Sequence, residues 1–316
     1  MPAFITHYIF GNDVVIHLRP CETRRIIFAE HAAFNTGLQG PDFFFYNFPL
    51  GGFGRTNPGS TIHNIDGGKF IMNMVKLCQK MSNSPKRDLC LAYTLGFIGH
   101  YVLDVKVHPY VYFRAGHSNS PKLDLSRHFF IEHDIDLYYK SDPQTFEMNK
   151  VINMTFRQSE VISNFIYSAL RLTYPDMKCS YLDVHMSMEL QKLGSAFLSD
   201  RFGVKEPLVN LFERATDGIP LISALFTSSK ATNIPKSMNF YHDKWLLAPA
   251  DEAKGIKKPK YSSKSVNELF DEARKNYYVD LLECERLISS NKRTSPALKR
   301  LRKLIGNKSL HSGLDT

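Results

Sequence analysis

The hydrophobic and polar positions of this chain recur with a helical period along most of its length. Residues 86–107 are apolar on nearly every side, which is typical of a helix buried at the centre of a bundle. Strand-like alternation is sustained nowhere. Helical periodicity also fits the ranges 21–34, 65–82, 126–140, 149–172, 186–200 and 205–226. The pattern therefore predicts an all-α protein, built as a compact multi-helix bundle.

Two stretches interrupt the helical pattern. Residues 47–60 are rich in glycine and proline and predict a long loop, while residues 229–263 carry several prolines and lysines, as extended linkers do. Helices are predicted again near 265–289 and 296–305. We therefore divide the chain into a helical domain (1–228), a linker or wrap (229–263) and a basic helical tail (264–316).

Composition limits the class of protein. Hydrophobic residues make up 43% of the chain and aromatic residues 12%, which is enough for a packed core. The longest nearly uncharged apolar run, Leu89–Gly99, is far shorter than the roughly 20 residues that span a bilayer. The five cysteines are scattered and odd in number, so neither disulfides nor a cysteine zinc site are expected. Because Met1–His7 also lacks a secretory pattern, we expect a cytoplasmic protein.

The net charge of +9 is concentrated in the tail. From Lys254 to Thr316 there are 15 Lys and Arg against 7 Asp and Glu, so residues 1–253 are nearly neutral. The predicted helix 296–305 has basic faces and an apolar stripe of Leu298, Leu301, Leu304 and Ile305. This stripe suits either peripheral attachment to an anionic membrane surface or docking on the bundle. In both cases we expect residues 294–316 to be independent of the chemistry of the domain.

Two predicted helices carry evenly spaced histidines and carboxylates. His100, Asp104 and His108 lie at i, i+4 and i+8, within about 80° of one another around one helix. His128 and Glu132 repeat the spacing on the next helix. Buried imidazoles and carboxylates without partners are costly, whereas a metal ion takes both as ligands. The two ladders together therefore predict a metal site.

A simpler explanation stays open for each residue taken alone. A histidine on an apolar helix is more often a hydrogen-bonded core residue than a ligand. Asp136 extends the second ladder and is predicted either to accept a hydrogen bond from a ligand imidazole or to be an ordinary helix carboxylate. Asp66 suits a helix N-cap as well as a functional role. The remaining histidines are predicted to be surface or structural residues: His17, His31, His117, His133, His185 and His311.

Short motifs in the first two thirds of the chain resemble those of the zinc-dependent phospholipase C family. Gly99–Asp104, followed by His108-Pro109-Tyr110, resembles the signature helix of that family, whose compact all-helical fold is shared with the secreted zinc nucleases. Further motifs in the family's order are Thr6-His7-Tyr8, Gly40-Pro41-Asp42-Phe43, His63-Asn64 and His128-x-x-x-Glu132. The resemblance covers about residues 1–230 and is closest to the cytosolic bacterial branch of phospholipase C-like proteins.

The resemblance implies a cluster of two to three zinc ions. By position, the implied ligands are Asp42, His63, His100 and Asp104 for the first ion, Asp104 and His7 for the second, and His108, His128 and Glu132 for the third. Asp104 would bridge the first two ions, and the amine and carbonyl of the N-terminal residue would complete the second. The resemblance also implies a catalytic role for Asp42, as the base that orients the attacking water.

Three functions remain open at this point. The leading one is a zinc-dependent phosphodiester hydrolase of the phospholipase C type, because two zinc ions about 3.5–4 Å apart can activate water and clamp a phosphoryl group. Its substrate would be a phospholipid or another phosphodiester. The second is a nuclease-like or small-molecule phosphodiesterase, although the nearly neutral domain makes nucleic acid a less favoured partner. The third is a zinc-stabilised, non-catalytic protein with a basic recruitment tail. The aromatic cluster 43–46 suits either an apolar rim for lipid or the core.

Overall fold

In a computed structural model of the protein, the described residues are 4–47, 50, 56–116, 118–139, 147–200, 202–216, 218–228, 245–246, 261–290 and 296–316. They form an all-α fold, which confirms the predicted fold class. The helices are α1 (Phe4–Ile16), α2 (Glu22–Ala29), α3 (His31–Gly37), α4 (Pro58–Asn64), α5 (Gly67–Lys80), α6 (Pro85–Ala115), α7 (Pro121–Tyr139), α8 (Met148–Val151), α9 (Phe156–Thr173), α10 (Tyr181–Leu198), α11 (Lys205–Thr216), α12 (Val266–Ser290) and α13 (Pro296–Ile305).

Short elements complete the fold. Two 3-10 helices span Asp42–Tyr46 and Ser223–Leu225. The strands found in the described residues are two residues long: β1 (Ser199–Asp200) pairs in parallel with β2 (Thr227–Ser228), and β3 (Trp245–Leu246) pairs antiparallel with β4 (Tyr261–Ser262). These pairs are too short to form a layer, so helix packing determines the architecture.

The longest helix, α6, begins at a capped N-terminus and ends at a glycine. The Ser84 hydroxyl accepts a hydrogen bond from the backbone N–H of Arg87 at 3.3 Å, and Pro85 occupies the first helical position. Gly116, with a φ of 75°, follows the last turn. Apolar residues lie on all sides of α6, and α3, α5, α7, α9 and α12 pack around it. It is the central helix that the pattern over 86–107 predicts.

α3 and α6 approach each other closely through two glycines. A Cβ atom at Gly37 would lie 2.1 Å from the carbonyl oxygen of Tyr93, and one at Gly96 would lie 2.1 Å from that of Phe34. Any larger residue at either position would therefore push the two helices apart. This close packing holds the turn that follows α3, with Asp42 just beyond it, beside the middle of α6.

The predicted tail packs into the same core as the predicted domain. The Tyr277 hydroxyl of α12 donates a hydrogen bond to the carbonyl oxygen of Leu95 in α6 at 2.8 Å, and both helices contribute to one hydrophobic cluster. On α13, Leu301 and Ile305 are buried, with 0% and 3% exposure, while Leu304 remains half exposed. Most of the apolar stripe of α13 therefore docks on the bundle. Most of the predicted linker, residues 229–263, lies outside the described residues.

The structure adds two helices to those predicted. α1 is apolar over most of its surface, so it has no polar face to give a periodic signal. α4 has only seven residues, and its start lies inside the predicted loop 47–60. It begins at Pro58, where the Asn57 side chain accepts a hydrogen bond from the N–H of Gly59 at 2.8 Å. These two helices matter because they carry His7 and His63.

Other predicted helices have different limits in the structure. The predicted helix 21–34 divides at Glu30, whose φ of −117° and ψ of 44° are not helical. The predicted helix 205–226 ends at Thr216, close to Gly218, which has a left-handed φ of 71°. Among the helices of the described part of the chain, none is both long and apolar enough to cross a membrane.

Candidate metal centre

Five elements bring the eight predicted ligand residues together. His7 comes from α1, Asp42 from the first 3-10 helix, His63 from α4, His100, Asp104 and His108 from α6, and His128 and Glu132 from α7. Six of the eight side chains are buried, whereas those of Asp42 and His108 are each 13% exposed. The cluster is therefore open to solvent at these two residues.

Asp104 lies at the centre of the cluster. Its Oδ1 atom is 3.0 Å from Nε2 of His7, and its Oδ2 atom is 3.0 Å from Nε2 of His100 and 3.2 Å from Nδ1 of His108. Oδ2 is also 3.6 Å from Nε2 of His63. One carboxylate thus faces imidazoles from α1, α4 and α6, which is the position that a carboxylate bridging two cations needs.

The ligand atoms form three groups, and the atoms of each group lie within 4.8 Å of one another. The groups are Asp42 with His63 and His100, His7 with His100 and Asp104, and His108 with His128 and Glu132. They overlap the three ion positions that the family resemblance implies, except that His100, and not Asp104, is the residue shared by the first two groups. That each of these residues binds an ion stays a prediction.

The third group joins α6 to α7. Nε2 of His108 lies 2.8 Å from Oε1 of Glu132, and Nε2 of His128 lies 3.2 Å from the same oxygen. His128 and Glu132 are one helical turn apart, so their side chains emerge on the same face of α7. Because one carboxylate oxygen lies between two imidazoles, a single cation could be bound by all three side chains.

Several buried atoms of the cluster have no hydrogen-bond partner in the described part of the chain. They are Nδ1 of His7, Nε2 of His100, Oδ2 of Asp104, Nδ1 of His128 and Oε2 of Glu132. Nε2 of His100 and Oδ2 of Asp104 are 3.0 Å apart, but they are not aligned for a hydrogen bond. Leaving a buried polar group unpartnered costs about 1–3 kcal/mol, and more when it is charged. A cation would accept lone pairs from such atoms, and imidazole with carboxylate is a donor set that suits zinc. The residues present therefore fit the metal.

Backbone carbonyls orient two of the imidazoles. Nδ1 of His63 lies 2.7 Å from the carbonyl oxygen of Gly59, and Nδ1 of His100 lies 3.2 Å from that of Leu38. A carbonyl only accepts hydrogen bonds, so Nδ1 of each ring must donate the proton. In the neutral ring, Nε2 then keeps its lone pair and faces the carboxylates, which is how ligand histidines are usually held.

The electrostatics of the cluster keep its carboxyl groups ionised. Burial alone would raise the pKa of Asp42, but contact with His63 and the charge of His100 lower it to about 2. In the same way the charges of His100 and His108 outweigh burial and hold the pKa of Asp104 well below its usual range. The pKa of Glu132 is lowered despite burial, chiefly by the charge of His128.

The same carboxylates act on the imidazoles. Burial favours a neutral His63, but Asp104 and Asp42 raise its pKa to about 9. Asp104 and Glu132 likewise raise the pKa of His108 against the effect of burial, whereas burial lowers the pKa of His100. In the metal-free cluster, protons on His63 and His108 therefore balance the carboxylates. A bound cation would replace them, so metal binding should release protons.

A glycine makes room for His100. Gly40 has a left-handed φ of 55°, and a Cβ atom built there would lie 2.1 Å from Cδ2 of His100. Glycine is therefore required twice at this position, for its backbone conformation and for the space. The turn it forms lets the chain pass directly over the imidazole and place Asp42 beside it.

The comparison with known families agrees with this geometry. The family model described as Zinc dependent phospholipase C matches residues 6–178, which is more than half of the chain. The chain belongs to the zinc-dependent phospholipase C family. All eight predicted ligands lie within the matched range, and α12 and α13 lie beyond it. No curated protein and no solved structure matches the chain.

Two aromatic side chains of this zinc-dependent phospholipase C family member lie at the cluster although sequence reasoning missed them. The Tyr112 ring centre is 4.6 Å from that of His128, and it extends the i, i+4 ladder that ends at His108. The same spacing could therefore have predicted that Tyr112 lies at the cluster. The His311 ring is stacked on that of His63, with 5.1 Å between centres. His311 has no spacing relation to the other ligands, so its place is visible only in three dimensions.

Other candidates lie elsewhere or have other partners. The hydrogen bonds of Asp136 go to Ile5 and Thr6 at the start of α1 rather than to an imidazole. His31 pairs with Asn12, with 2.7 Å between Nε2 and Oδ1, and is structural as predicted. Asp66 occupies the N-cap position of α5, but its side chain makes no capping hydrogen bond. The N-terminal residue and His117 lie outside the described residues.

Proposed function

We propose that this protein is a zinc-dependent phosphodiester hydrolase of the phospholipase C type, with a cluster of two to three zinc ions. The observation that carries this proposal is the convergence of four imidazoles on Asp104, within three groups of His and carboxylate residues that leave several buried atoms unpartnered. Membership of the zinc-dependent phospholipase C family supports the same conclusion. A structural zinc site would need only one closed group, whereas here there are three groups, two of them share His100, and the cluster is partly exposed at Asp42 and His108.

Zinc ions, when bound, act as Lewis acids toward the phosphoryl group and lower the pKa of coordinated water. The side chains of the chain have complementary tasks. Asp42 is ionised at neutral pH and partly exposed, so it can accept a hydrogen bond from the attacking water and orient it. Asp104 of α6 contacts imidazoles from α1 and α4, and the turn at Gly40 brings Asp42 beside His100. We infer that Asp42 is the catalytic residue.

An exposed apolar surface supports a phospholipid as the substrate. It runs from the end of α10 through α11, and it consists of Leu193, Phe197, Phe202, Val204, Leu208, Leu211 and Phe212, each at least half exposed. None of the residues of α11 is buried. Leu208, Leu211 and Phe212 lie three and four residues apart and so share one face of α11. An exposed apolar face is typical of an interaction site with protein or lipid.

This surface is connected to the candidate metal centre on two sides. Next to Leu193, Gly194 of α10 packs so tightly on Tyr46 that a Cβ atom would lie 2.4 Å from its ring, and Tyr46 ends the 3-10 helix of Asp42. The turn after α11 packs on α7, where the Ser126 hydroxyl donates a hydrogen bond to the carbonyl oxygen of Pro220. In contrast, Phe43 and Phe44 are buried and belong to the core.

Metal analysis and turnover together test the proposed function. Purified protein dialysed against zinc-free buffer should retain two to three zinc equivalents, and a chelator should lower its melting temperature by several degrees, because the ligands join five elements. The zinc-loaded protein should hydrolyse a phosphocholine ester or phosphatidylcholine in vesicles, and Asp42→Asn should abolish this while the two groups that do not contain Asp42 keep their zinc.

The outcomes separate the three functions. Turnover of lipid and of a chromogenic phosphodiester supports the phospholipase C type. Cleavage of single-stranded nucleic acid without lipid turnover would support the nuclease-like alternative. Zinc binding without any turnover would support the zinc-stabilised, non-catalytic alternative, and protein without zinc would contradict all three.

The cysteines of the described residues are free thiols, which supports our inference of a cytoplasmic location.

A further inference from the structure

The last eleven residues, 306–316, fold back from α13 as a compact turn. Gly306 has a left-handed φ of 66°, which reverses the chain after the helix. The N–H of Ser309 donates a hydrogen bond to the carbonyl oxygen of Leu314 at 2.8 Å, and the N–H of Gly313 donates to that of Ser309 at 2.9 Å. The segment 306–316 is thus held together by its own backbone.

This segment docks on two elements of the metal centre. The N–H of Leu310 donates a hydrogen bond to the carbonyl oxygen of His63 at 2.8 Å, and the Ser309 hydroxyl donates to the same oxygen at 3.2 Å. Leu310 itself is fully buried. At Gly313, a Cβ atom would lie 2.5 Å from the carbonyl oxygen of Val105, the residue after Asp104 on α6. The contact therefore leaves room only for glycine.

The carbonyl of Leu310 acts on a proposed ligand directly. Nδ1 of His108 lies 3.1 Å from this oxygen, while Nε2 of His108 lies 2.8 Å from Glu132. When Nδ1 donates its proton to the carbonyl, Nε2 is left with its lone pair on the side of His128 and Glu132. Docking of the segment thus favours the His108 tautomer that suits a cation in the third group.

His311 forms part of the wall of the same site. Its ring is stacked on His63, with 5.1 Å between centres and 27° between planes. It also lies edge-on to His108 and Tyr112, at 6.1 Å and 5.1 Å between ring centres. His311 does not join any of the three ligand groups. It therefore packs over the ligands and restricts how their rings can turn.

We propose that the segment 306–316 is a structural part of the metal centre, in which the Leu310 backbone and the His311 ring position His63 and His108 for metal binding. This inference rests on the proposed metal centre. Because the docked segment favours the metal-binding geometry, a bound cation must in turn stabilise the docked segment. The expectation from sequence that residues 294–316 are independent of the site is thereby reversed.

Hydrogen exchange of the unmodified protein tests the coupling first. The amides of Leu310 and Gly313 should exchange about tenfold more slowly in zinc-loaded protein than in chelator-treated protein. This factor corresponds to a tenfold shift of the equilibrium toward the docked segment. Amides of α9, which contributes no proposed ligand, give the comparison for a general change in stability. Equal slowing in both places, or none at 309–314, would overturn the proposal even if zinc binds.

Zinc affinity, measured by competition with a chelating dye, tests the positioning role. Gly313→Ala should undock the segment and weaken the third site about 10–100-fold, the range found for residues that orient ligands. Gly218→Ala is the matched control, because Gly218 has a similar φ of 71° but nothing within 4 Å of the added Cβ. His311→Ala should weaken binding too, with His311→Phe restoring part of it, while His17→Ala at an exposed histidine should not.

The possible results separate this inference from the proposed function. If the unmodified protein binds zinc but Gly313→Ala and His311→Ala bind as tightly as their controls, the positioning role is wrong and the metal centre stands. If the unmodified protein binds no zinc, both proposals fall. If Gly313→Ala does not fold, His311→Ala and the exchange of the unmodified protein still decide.

Discussion

Oδ1 of Asp136 accepts two hydrogen bonds from Thr6, one from its backbone N–H at 2.8 Å and one from its hydroxyl at 2.6 Å. The other carboxylate oxygen accepts the N–H of Ile5 at 3.2 Å. These N–H groups belong to the first turn of α1, where helices lack internal partners. A carboxylate of α7 thus caps the helix of His7 and determines where that imidazole lies.

The cap predicts that Asp136→Ala weakens the metal centre without removing a ligand. Loss of hydrogen bonds to a buried carboxylate should lower the free energy of unfolding by about 1–3 kcal/mol. Zinc should be lost first from the group of His7, so zinc content per chain should fall while the other groups stay loaded. Asp134→Ala, at an exposed position of the same helix, serves as the control. Full zinc content in Asp136→Ala would contradict the positioning role.

The position of Asp104 predicts that Asp104→Asn is more harmful than His108→Ala. Asn keeps the shape but removes the charge that faces four imidazoles, so more than one ion should be lost along with turnover. His108→Ala should mainly affect the third group, although its 3.2 Å contact with Asp104 gives it some influence on the others. Zinc content and turnover of both variants decide. Turnover that survives in Asp104→Asn but not in His108→Ala would show that the bridge is assigned wrongly.

Gly40→Ala should disturb His100 through the backbone. A left-handed conformation costs a residue with a Cβ atom about 1–2 kcal/mol, and here the new Cβ atom would also collide with the imidazole. We expect a lower melting temperature and loss of zinc from the two groups that share His100. Gly218→Ala carries a comparable backbone penalty with nothing nearby, so it should lower only the melting temperature. The idea fails if both variants keep the same zinc content.

A buried carboxyl group in α12 predicts a pH dependence that is unrelated to metal. Burial raises the pKa of Asp280 to about 7, so the folded protein holds this proton more tightly than the unfolded chain does. Its contribution to stability is therefore present below the unfolded pKa and is lost as pH rises to about 7. Asp280→Asn mimics the neutral form, so its stability relative to the unmodified protein should rise by roughly 1.4 kcal/mol per pH unit across this window.

Urea unfolding at pH 5, 6, 7 and 8 measures this difference. Comparing the two proteins at each pH cancels effects of metal release, which both share. Asp271→Asn, at a side chain of α12 that is 64% exposed, is the control and should show no such trend. A constant difference between Asp280→Asn and the unmodified protein across this range would show that Asp280 is already ionised in the folded state.

The sequence by itself determined the class of fold and the helix face that carries the centre of the site. The run over 86–107 is apolar on nearly every side, so it is expected at the centre of a bundle, and α6 lies there. The i, i+4, i+8 spacing of His100, Asp104 and His108 places them on one face of any α-helix, whatever surrounds it. These are local consequences of helical geometry. The motif resemblance likewise pointed to His7, Asp42 and His63 as partners for that face.

Only the tertiary structure decided what surrounds that face. His311 lies far along the chain from His63 and shares no periodicity with it, so their stacking follows from the docking of α12 and α13 on α6. The partner of Asp136 could not be predicted either, because the first turn of α1 reaches α7 only after both pack on the central helix. Local patterns fix which face of a helix a side chain occupies, but the partner across that face depends on long-range packing.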